Sequence, residues 1–292
     1  MRMRSWLFIP SDSERKLAKS EGIPADVFIL DLEDSVAPQN KATARSLAAE
    51  FLASVPLERR ERFWVRINPV DDAAAGADLS AVMKSRPGGI VLPKARSPDD
   101  AVLLARRVQV YEEEHEIPIG ATRILPVATE TPGSLFMLGS YATVGPRLAG
   151  LTWGAEDLSA SVGAETARDS DGRWTAPYVM VRNLCLFAAH AAGVEAVDTL
   201  CADFRDPEGL RAACAEARRD GFTGKLAIHP DQVEIINGAF TPGEAEIARA
   251  RRIVALFEDN PGAGTLALDG RMLDLPHLKQ ARRLLERAKD QA

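Results

Sequence analysis

The stretch Ile124-Leu125-Pro126-Val127-Ala128-Thr129-Glu130-Thr131 is a short, apolar, β-rich run that closes on an acid, Glu130. A second run of the same design, Leu151-Thr152-Trp153-Gly154-Ala155-Glu156-Asp157, closes on Glu156 and Asp157. Short apolar runs bounded by turn residues read as buried parallel strands. A carboxylate at the C-terminal end of such a strand stands where α/β barrels and open α/β sheets carry their active sites. Glu130 and Asp157, two hard oxygen ligands on neighbouring strand ends, can hold Mg²⁺ and leave positions for a substrate's own oxygens. Either carboxylate could instead cap the helix that follows it.

The pattern repeats outward from these runs. Strand-like runs at 5–10, 27–32, 64–68, 89–93, 123–128, 148–153, 196–200 and 225–228 alternate with helix-forming stretches at 41–53, 98–114, 131–141, 178–192 and 207–220. β/α alternation implies a parallel sheet with right-handed crossovers, and eight strands followed by helices predict a (β/α)₈ TIM barrel. A doubly wound open sheet is the alternative, but no G-x-G-x-x-G follows the first strand. Residues 1–236 are assigned to the barrel and 237–292 to a C-terminal helical arm, too short to fold alone, that packs on the barrel or a neighbouring subunit. Within the last part, 232–240 reads as a final helical turn and loop. Residues 242–259 read as a helix capped by Thr241 with Glu244 three positions on. Residues 265–273 read as a hairpin or irregular arm, and 276–289 as a terminal helix.

Composition narrows the function. The 292 residues are 46% hydrophobic with a net charge of −6, which supports one large core and argues against general affinity for nucleic acid or an anionic membrane. No apolar run approaches the roughly 18–20 residues of a membrane span. Met1-Arg2-Met3-Arg4-Ser5-Trp6 leads directly into a strand-like run without a signal-peptide core, and Cys185, Cys201 and Cys214 form no C-x-x-C pair. A cytoplasmic location is therefore expected.

Polar residues gather at the strand ends: Asp31, Glu33 and Asp34 after the second, Arg66 and Asn68 on the third, and Lys94 after the fourth. Asp198 and Asp203 bracket the seventh, and His229 follows the eighth. In a barrel all are expected to lean toward one mouth. Several carboxylates there need a cation to offset their repulsion, and a metal together with Arg66 supplies it. His229-Pro230 reads as a structural turn, His115 as solvated, and His190 as core.

Eight blocks in one order resemble a known family. They are Arg4-Ser5-Trp6-Leu7-Phe8-Ile9-Pro10, Leu30-Asp31-Leu32-Glu33-Asp34-Ser35-Val36, Val65-Arg66-Ile67-Asn68, Leu92-Pro93-Lys94, Gly154-Ala155-Glu156-Asp157-Leu158, Gly221-Phe222-Thr223-Gly224-Lys225, Ile228-His229-Pro230 and Asp269-Gly270-Arg271-Met272-Leu273-Asp274. Together they are similar to the citrate lyase β-subunit-like proteins of the HpcH/HpaI aldolase/citrate lyase family, from about residue 4 to about 290. The resemblance implies a Mg²⁺-dependent barrel that splits a 3-hydroxyacyl-CoA (malyl-, citramalyl- or citryl-CoA type) into acetyl- or propionyl-CoA and a 2-oxo acid by a retro-Claisen step. It makes Glu130 and Asp157 the metal ligands, and sets Arg66 facing the substrate carboxylate or the thioester oxyanion. It makes Asp274, in the arm, the group that moves the α-carbon proton, reaching into an adjacent subunit of a trimer or a multiple of one. Asp274 also suits an N-terminal cap for the helix near Pro276.

The chain departs from the family in places. The fifth-strand motif is commonly Ile-Glu-Thr-Ala; here it is Thr129-Glu130-Thr131-Pro132. Asp34 stands where the pyruvate-dependent aldolases carry a histidine, which favours the CoA-ester branch. Glu33 and Asp34 are then expected to orient water beside the metal. Lys94 reads as an electrostatic group rather than a Schiff-base lysine. Coenzyme A needs cationic partners for its phosphates, and Arg15, Lys16 and Lys19, just past the first strand, are the candidates, with Arg4 a weaker one. They could equally be a solvated helix face. The loop 168–174 suits a lid or an oligomer contact and lacks the later glutamate of a calcium loop. A carrier-protein thioester, hydrolysis of malyl-CoA, and non-enzymatic 2-oxo-acid binding stand as alternatives.

Overall fold

The computed structural model describes residues 2–289. Eight parallel strands run β1 Ser5–Pro10, β2 Val27–Asp31, β3 Phe63–Arg66, β4 Gly89–Leu92, β5 Arg123–Pro126, β6 Gly150–Thr152, β7 Glu195–Asp198 and β8 Gly224–Ala227. They pair in the order β5-β4-β3-β2-β1-β8-β7-β6. Parallel bridges from Ile124 to Leu148 and from Val127 to Thr152 join the two ends, so the sheet closes into a TIM barrel. The β5–β6 seam is broken because Pro126 has no N–H to give the ladder.

Helices α1 Glu14–Lys19, α2 Lys41–Ser54, α3 Ala73–Val82, α4 Pro98–Glu114, α5 Glu156–Val162, α6 Ala176–Ala192, α7 Pro207–Asp220 and α8 Asp231–Phe240 surround the strands. After β5 the expected α-helix is instead a 3₁₀ segment, Pro132–Thr143, in which Pro132, Gly133 and Gly139 weaken α-helical preference. α8 is a full helix rather than a last turn and loop; Val233, Ile236 and Phe240 anchor it in the core between barrel and helices.

Strand periodicity sorts the side chains into two layers. Trp6, Val27, Ile29, Trp64, Val91, Leu125, Val197 and Leu226 fill the barrel. Their neighbours Leu7, Phe28, Leu30, Val65, Ile90 and Ala196 face the helices. Asp31 is in phase with Val27 and Ile29, and Arg66 with Trp64, so both point inward at the C-terminal rim. Asp198 is out of phase with Val197 and turns outward. Arg4, at the opposite end, chelates Asp26 (Nε–Oδ2 2.7 Å, Nη2–Oδ1 2.8 Å) and donates to Thr241 Oγ1 (2.6 Å). It is a clamp on the barrel's foot, not a coenzyme contact.

The arm consists of α9 Glu244–Glu258, the hairpin β9 Thr265–Leu268 and β10 Arg271–Asp274, and α10 Leu275–Lys289. It has its own small core of Ala250, Ile253, Phe257, Leu273, Leu278 and Ala281. Arg218 on α7 pairs with Glu246 at the base of α9 (2.6 Å). The cap of α9 is Gly243, whose N–H donates to Glu246 (2.8 Å). Thr241 was expected there, but its hydroxyl is taken by Asn237 O and Arg4. Among the described residues no helix is long and apolar enough to cross a membrane.

Candidate active site

Five carboxylates and two cations meet at the C-terminal mouth. Arg66 leaves the end of β3 with its guanidinium locked on Asp31, Nε to Oδ1 at 2.7 Å and Nη2 to Oδ2 at 2.6 Å. Its Nη1 lies 3.0 Å from Glu33 Oε2, and the plane rests 4.7 Å from the Phe8 ring centroid. Planar bidentate pairing fixes orientation as well as charge, and the N–H bonds that Asp31 does not use stay available to a ligand. Burial would raise the Asp31 carboxyl, but Arg66 outweighs it and holds Asp31 below its usual range.

Lys94, past β4, is the second hub. Its backbone is left-handed (φ 50°), a conformation uncommon for a side-chain-bearing residue and frequent at functional sites. That turn aims both of its nitrogens into the mouth. The backbone N–H donates to Glu130 Oε2, while Nζ donates to Glu33 Oε1 and to Asp34 Oδ2 (2.9 Å) and stands 3.4 Å from Asp157 Oδ1. Burial disfavours the ammonium, but Glu33 and Asp34 outweigh it and raise its pKa, so Lys94 is a held cation. A Schiff base needs a neutral amine, and the balance of these influences favours the ammonium instead.

Glu130 is almost fully buried, and its carboxyl is pushed up to about 8, first by burial and then by the charges of Asp157 and Glu33, against the Lys94 N–H. Glu33 is also raised, burial outweighing Arg66 and Lys94. Its Oε2 has no well-aligned donor among the described residues. These are the marks of a carboxylate group short of positive charge. Among the described residues no three His, Cys, Asp or Glu side chains converge as a complete ligand set. Glu130 and Asp157 nevertheless fit a hard divalent cation that keeps water or substrate oxygens for its other positions. Gly154 is required by this arrangement, since a Cβ there would stand 2.9 Å from Glu130 Cγ.

The mouth cavity is about 350 Å³ and is lined by Arg66, Glu130 and Asp157 together with the apolar Trp153, Leu200 and Ile228. A larger hollow of about 880 Å³ opens at the barrel's foot beside Glu61, Arg123 and Glu195. Size favours the foot, but the converging charges are all at the mouth, and active sites of this fold lie there.

The structure does not bring every candidate together. Arg15, Lys16 and Lys19 lie exposed on α1 beyond β1, pinned by buried Leu17, with no ion pair among the described residues. Asp274 ends β10 in the arm, where its Oδ1 meets His277 Nδ1 at 2.5 Å and is held below the usual carboxylate range by it. The same oxygen also accepts from the His277 N–H (3.4 Å), a helix-start arrangement. His277 escaped the sequence reading; the Asp-x-x-His spacing across a helix start was its only signal. Asp198 is buried behind β7, between Lys225 Nζ (2.7 Å), Trp153 Nε1 (2.8 Å) and Arg182 Nε (3.4 Å), and does not reach the mouth. Asn68 is tied to Lys41 and Asp78. His229 stacks on Phe204 (4.7 Å) at the rim, and His190 is exposed rather than core, with Nε2 against Gly221 O. The 168–174 loop is a closed turn with Arg168 over Trp174 (3.5 Å).

A closed eight-stranded barrel whose C-terminal mouth gathers carboxylates and a guanidinium has the build of a barrel enzyme. The chain belongs to the HpcH/HpaI aldolase/citrate lyase family, which it matches over residues 4–230. It is 36% identical over 98% of its length to a (3S)-malyl-CoA thioesterase of Cereibacter sphaeroides, covering 94% of that protein. It is 30% identical over 97% of its length to the mitochondrial citramalyl-CoA lyase of Rattus norvegicus, covering 85% of it. Among solved structures, the Mycobacterium tuberculosis protein CitE in complex with magnesium, acetoacetate and coenzyme A superposes with a TM-score of 0.80 at 33% identity, over 99% of this chain and 98% of that one.

Proposed function

We propose that the chain is a Mg²⁺-dependent lyase that cleaves a 3-hydroxyacyl-CoA of the malyl-, citramalyl- or citryl-CoA type into acetyl- or propionyl-CoA and a 2-oxo acid. One observation carries this reading. Glu130 is a buried carboxyl whose ionisation is opposed by Asp157 and Glu33, so the mouth is built to receive a cation beside Arg66. Glu130 and Asp157 would hold Mg²⁺. When bound, the metal supplies Lewis-acid polarisation of the oxo acid's carbonyl.

The chain's own groups do the rest. Arg66, oriented by Asp31, binds the substrate carboxylate or the oxyanion of the thioester enolate. Glu33 and Asp34, anchored by Lys94, hold the water through which the 3-hydroxyl proton departs. As the C2–C3 bond breaks, its electron pair passes to the thioester as an enolate and the hydroxyl carbon becomes the carbonyl of the 2-oxo acid. Asp274 of a neighbouring copy, an anion beside its own His277, removes the α-proton in the condensation direction. In the cleavage direction the proton given up by the 3-hydroxyl returns through it to the enolate carbon. The exposed cations Arg15, Lys16 and Lys19 grip the coenzyme phosphates. Assembly into a trimer or a multiple of one brings the arm of one copy to the mouth of the next. Three free thiols suit a reducing cytoplasm.

The similarity to a thioesterase favours a second reading, hydrolysis of malyl-CoA, which uses the same pocket but admits water to the thioester carbonyl. Purified protein incubated with malyl-, citramalyl- and citryl-CoA, with Mg²⁺ or with EDTA, separates the two. The lyase releases acyl-CoA and a 2-oxo acid only with Mg²⁺, whereas free CoA would identify the thioesterase. Silence on all three substrates would overturn both.

A further inference from the structure

The mouth offers few partners to a negative charge. Among the described residues that line its cavity, Arg66 is the one cation, while Asp31, Asp34, Glu130, Glu156 and Asp157 are acids. Lys94 does not line it; its ammonium is given to Glu33 and Asp34 and stands 3.4 Å from Asp157. Arg66 spends Nε and one Nη2 N–H on Asp31 and faces Glu33 with Nη1, so what remains serves one further anionic group. Much of the remaining wall is apolar. Val127 and Leu226, nearly fully buried, belong both to the barrel's inner core and to this cavity, and Phe8 and Leu200 pack against that core. Trp153 gives its N–H to Asp198 behind the sheet. The hydroxyls of Ser35 and Thr199 also line the cavity, but a neutral hydroxyl does not offset a charge.

We propose that this mouth accepts a 2-oxo acid with a single carboxylate and a small uncharged substituent, hydrogen or a short alkyl group. Glyoxylate and pyruvate then fit, and oxaloacetate does not. One carboxylate beside the carbonyl suits the cation that Glu130 and Asp157 would hold. A second carboxylate has three places to go, all unfavourable. On Arg66 it displaces the thioester oxyanion. Against Val127, Leu200 and Leu226 it is a desolvated charge without a partner. Turned outward it meets the exposed carboxylates of Asp34 and Glu156, which repel it. The inference rests on the lyase reading and narrows it: malyl- and citramalyl-CoA are substrates and citryl-CoA is rejected.

Calorimetric binding to the wild-type protein with Mg²⁺ tests the charge filter apart from turnover. The probes are pyruvate, oxaloacetate and 2-oxoisocaproate, whose isobutyl group has the shape of oxaloacetate's carboxymethyl group without its charge. Pyruvate is expected to bind at least about 100-fold more tightly than oxaloacetate, and 2-oxoisocaproate is also expected to bind more tightly than oxaloacetate. In the acyl-CoA release assay, kcat/KM for citryl-CoA is expected at least about 10³-fold below the better of malyl- and citramalyl-CoA. Equal affinity for oxaloacetate and pyruvate, or comparable cleavage of citryl-CoA, would overturn the proposal. Rejection of 2-oxoisocaproate as strong as that of oxaloacetate would overturn it too, since size rather than charge would be the filter. Discrimination in binding with no thioester cleaved would uphold the filter and sink only the lyase reading. No oxo acid bound and no thioester cleaved would overturn both.

Discussion

Two groups of charge, each built around a buried carboxylate, lie on opposite faces of the same sheet. Behind β7 and β8, Asp198 and Asp220 are matched by Lys225 and Arg182. Burial notwithstanding, those cations hold Asp198 below its usual range. In the mouth, Asp31, Glu33, Asp34, Glu130 and Asp157 share, among the described residues, only Arg66 and Lys94, and Glu130 is pushed up to about 8. A buried group that satisfies itself maintains the fold. One left short of cations is prepared for a ligand that brings them.

The comparison breaks most sharply at Lys225. Lys225→Met leaves Asp198 buried and short of its nearest cation, and is expected to destabilise the protein by about 3–5 kcal/mol in denaturant melts. Folded molecules of that variant should still bind Mg²⁺. Arg66→Met likewise strips a buried carboxylate, Asp31, of its bidentate cation, so it should cost a comparable amount, about 3–5 kcal/mol. On the proposed role it should also lower kcat/KM by roughly 10²–10³ in the molecules that fold. A comparable loss of stability, with little kinetic effect, would make Arg66 a structural residue like Arg182.

The imbalance also sets a pH dependence. Glu130 titrates near 8 when folded and near 4.5 when unfolded. Between those values the folded state binds more protons, so the metal-free protein loses stability as pH rises through that window. Mg²⁺ must displace the proton, so its dissociation constant should fall roughly tenfold per pH unit below about 8 and level off above it. Calorimetric titrations from pH 6 to 9 would check this, and a flat profile would remove Glu130 from the metal site. A smaller change sharpens the same point. Gly154→Ala forces a Cβ onto Glu130 and should weaken Mg²⁺ binding by roughly 10–100-fold, with the fold retained in circular dichroism.

Much of this was legible before any coordinates. The eight apolar runs gave the barrel because strand burial on both faces leaves a continuous apolar signature. Glu130, Asp157 and Arg66 stood out because strand ends in this fold converge. What strand ends do not reveal is phase. Asp31 and Asp198 end strands in the same way, yet one faces the barrel and the other the helices, because inward residues alternate and each strand's register is set by its neighbours. Counting from Val27 and Val197 would have separated them. The left-handed turn at Lys94 has no local signature, since it is imposed by the partners on either side. The Thr241 cap failed because Arg4, 237 positions away in sequence, competes for the hydroxyl. The arm's hairpin and helices were legible, but a reach of Asp274 into a second copy, as proposed, is a matter between chains that one chain's sequence does not carry.

The most direct test of the central claim is the melting temperature of Glu130→Gln with and without Mg²⁺ at pH 8.5. Removing one carboxylate from a group short of cations should leave the metal-free variant at least as stable as wild type, and Mg²⁺ should then add nothing. A variant that Mg²⁺ stabilises as much as wild type would contradict the account, placing the metal elsewhere and leaving Glu130 a buried acid without a ligand.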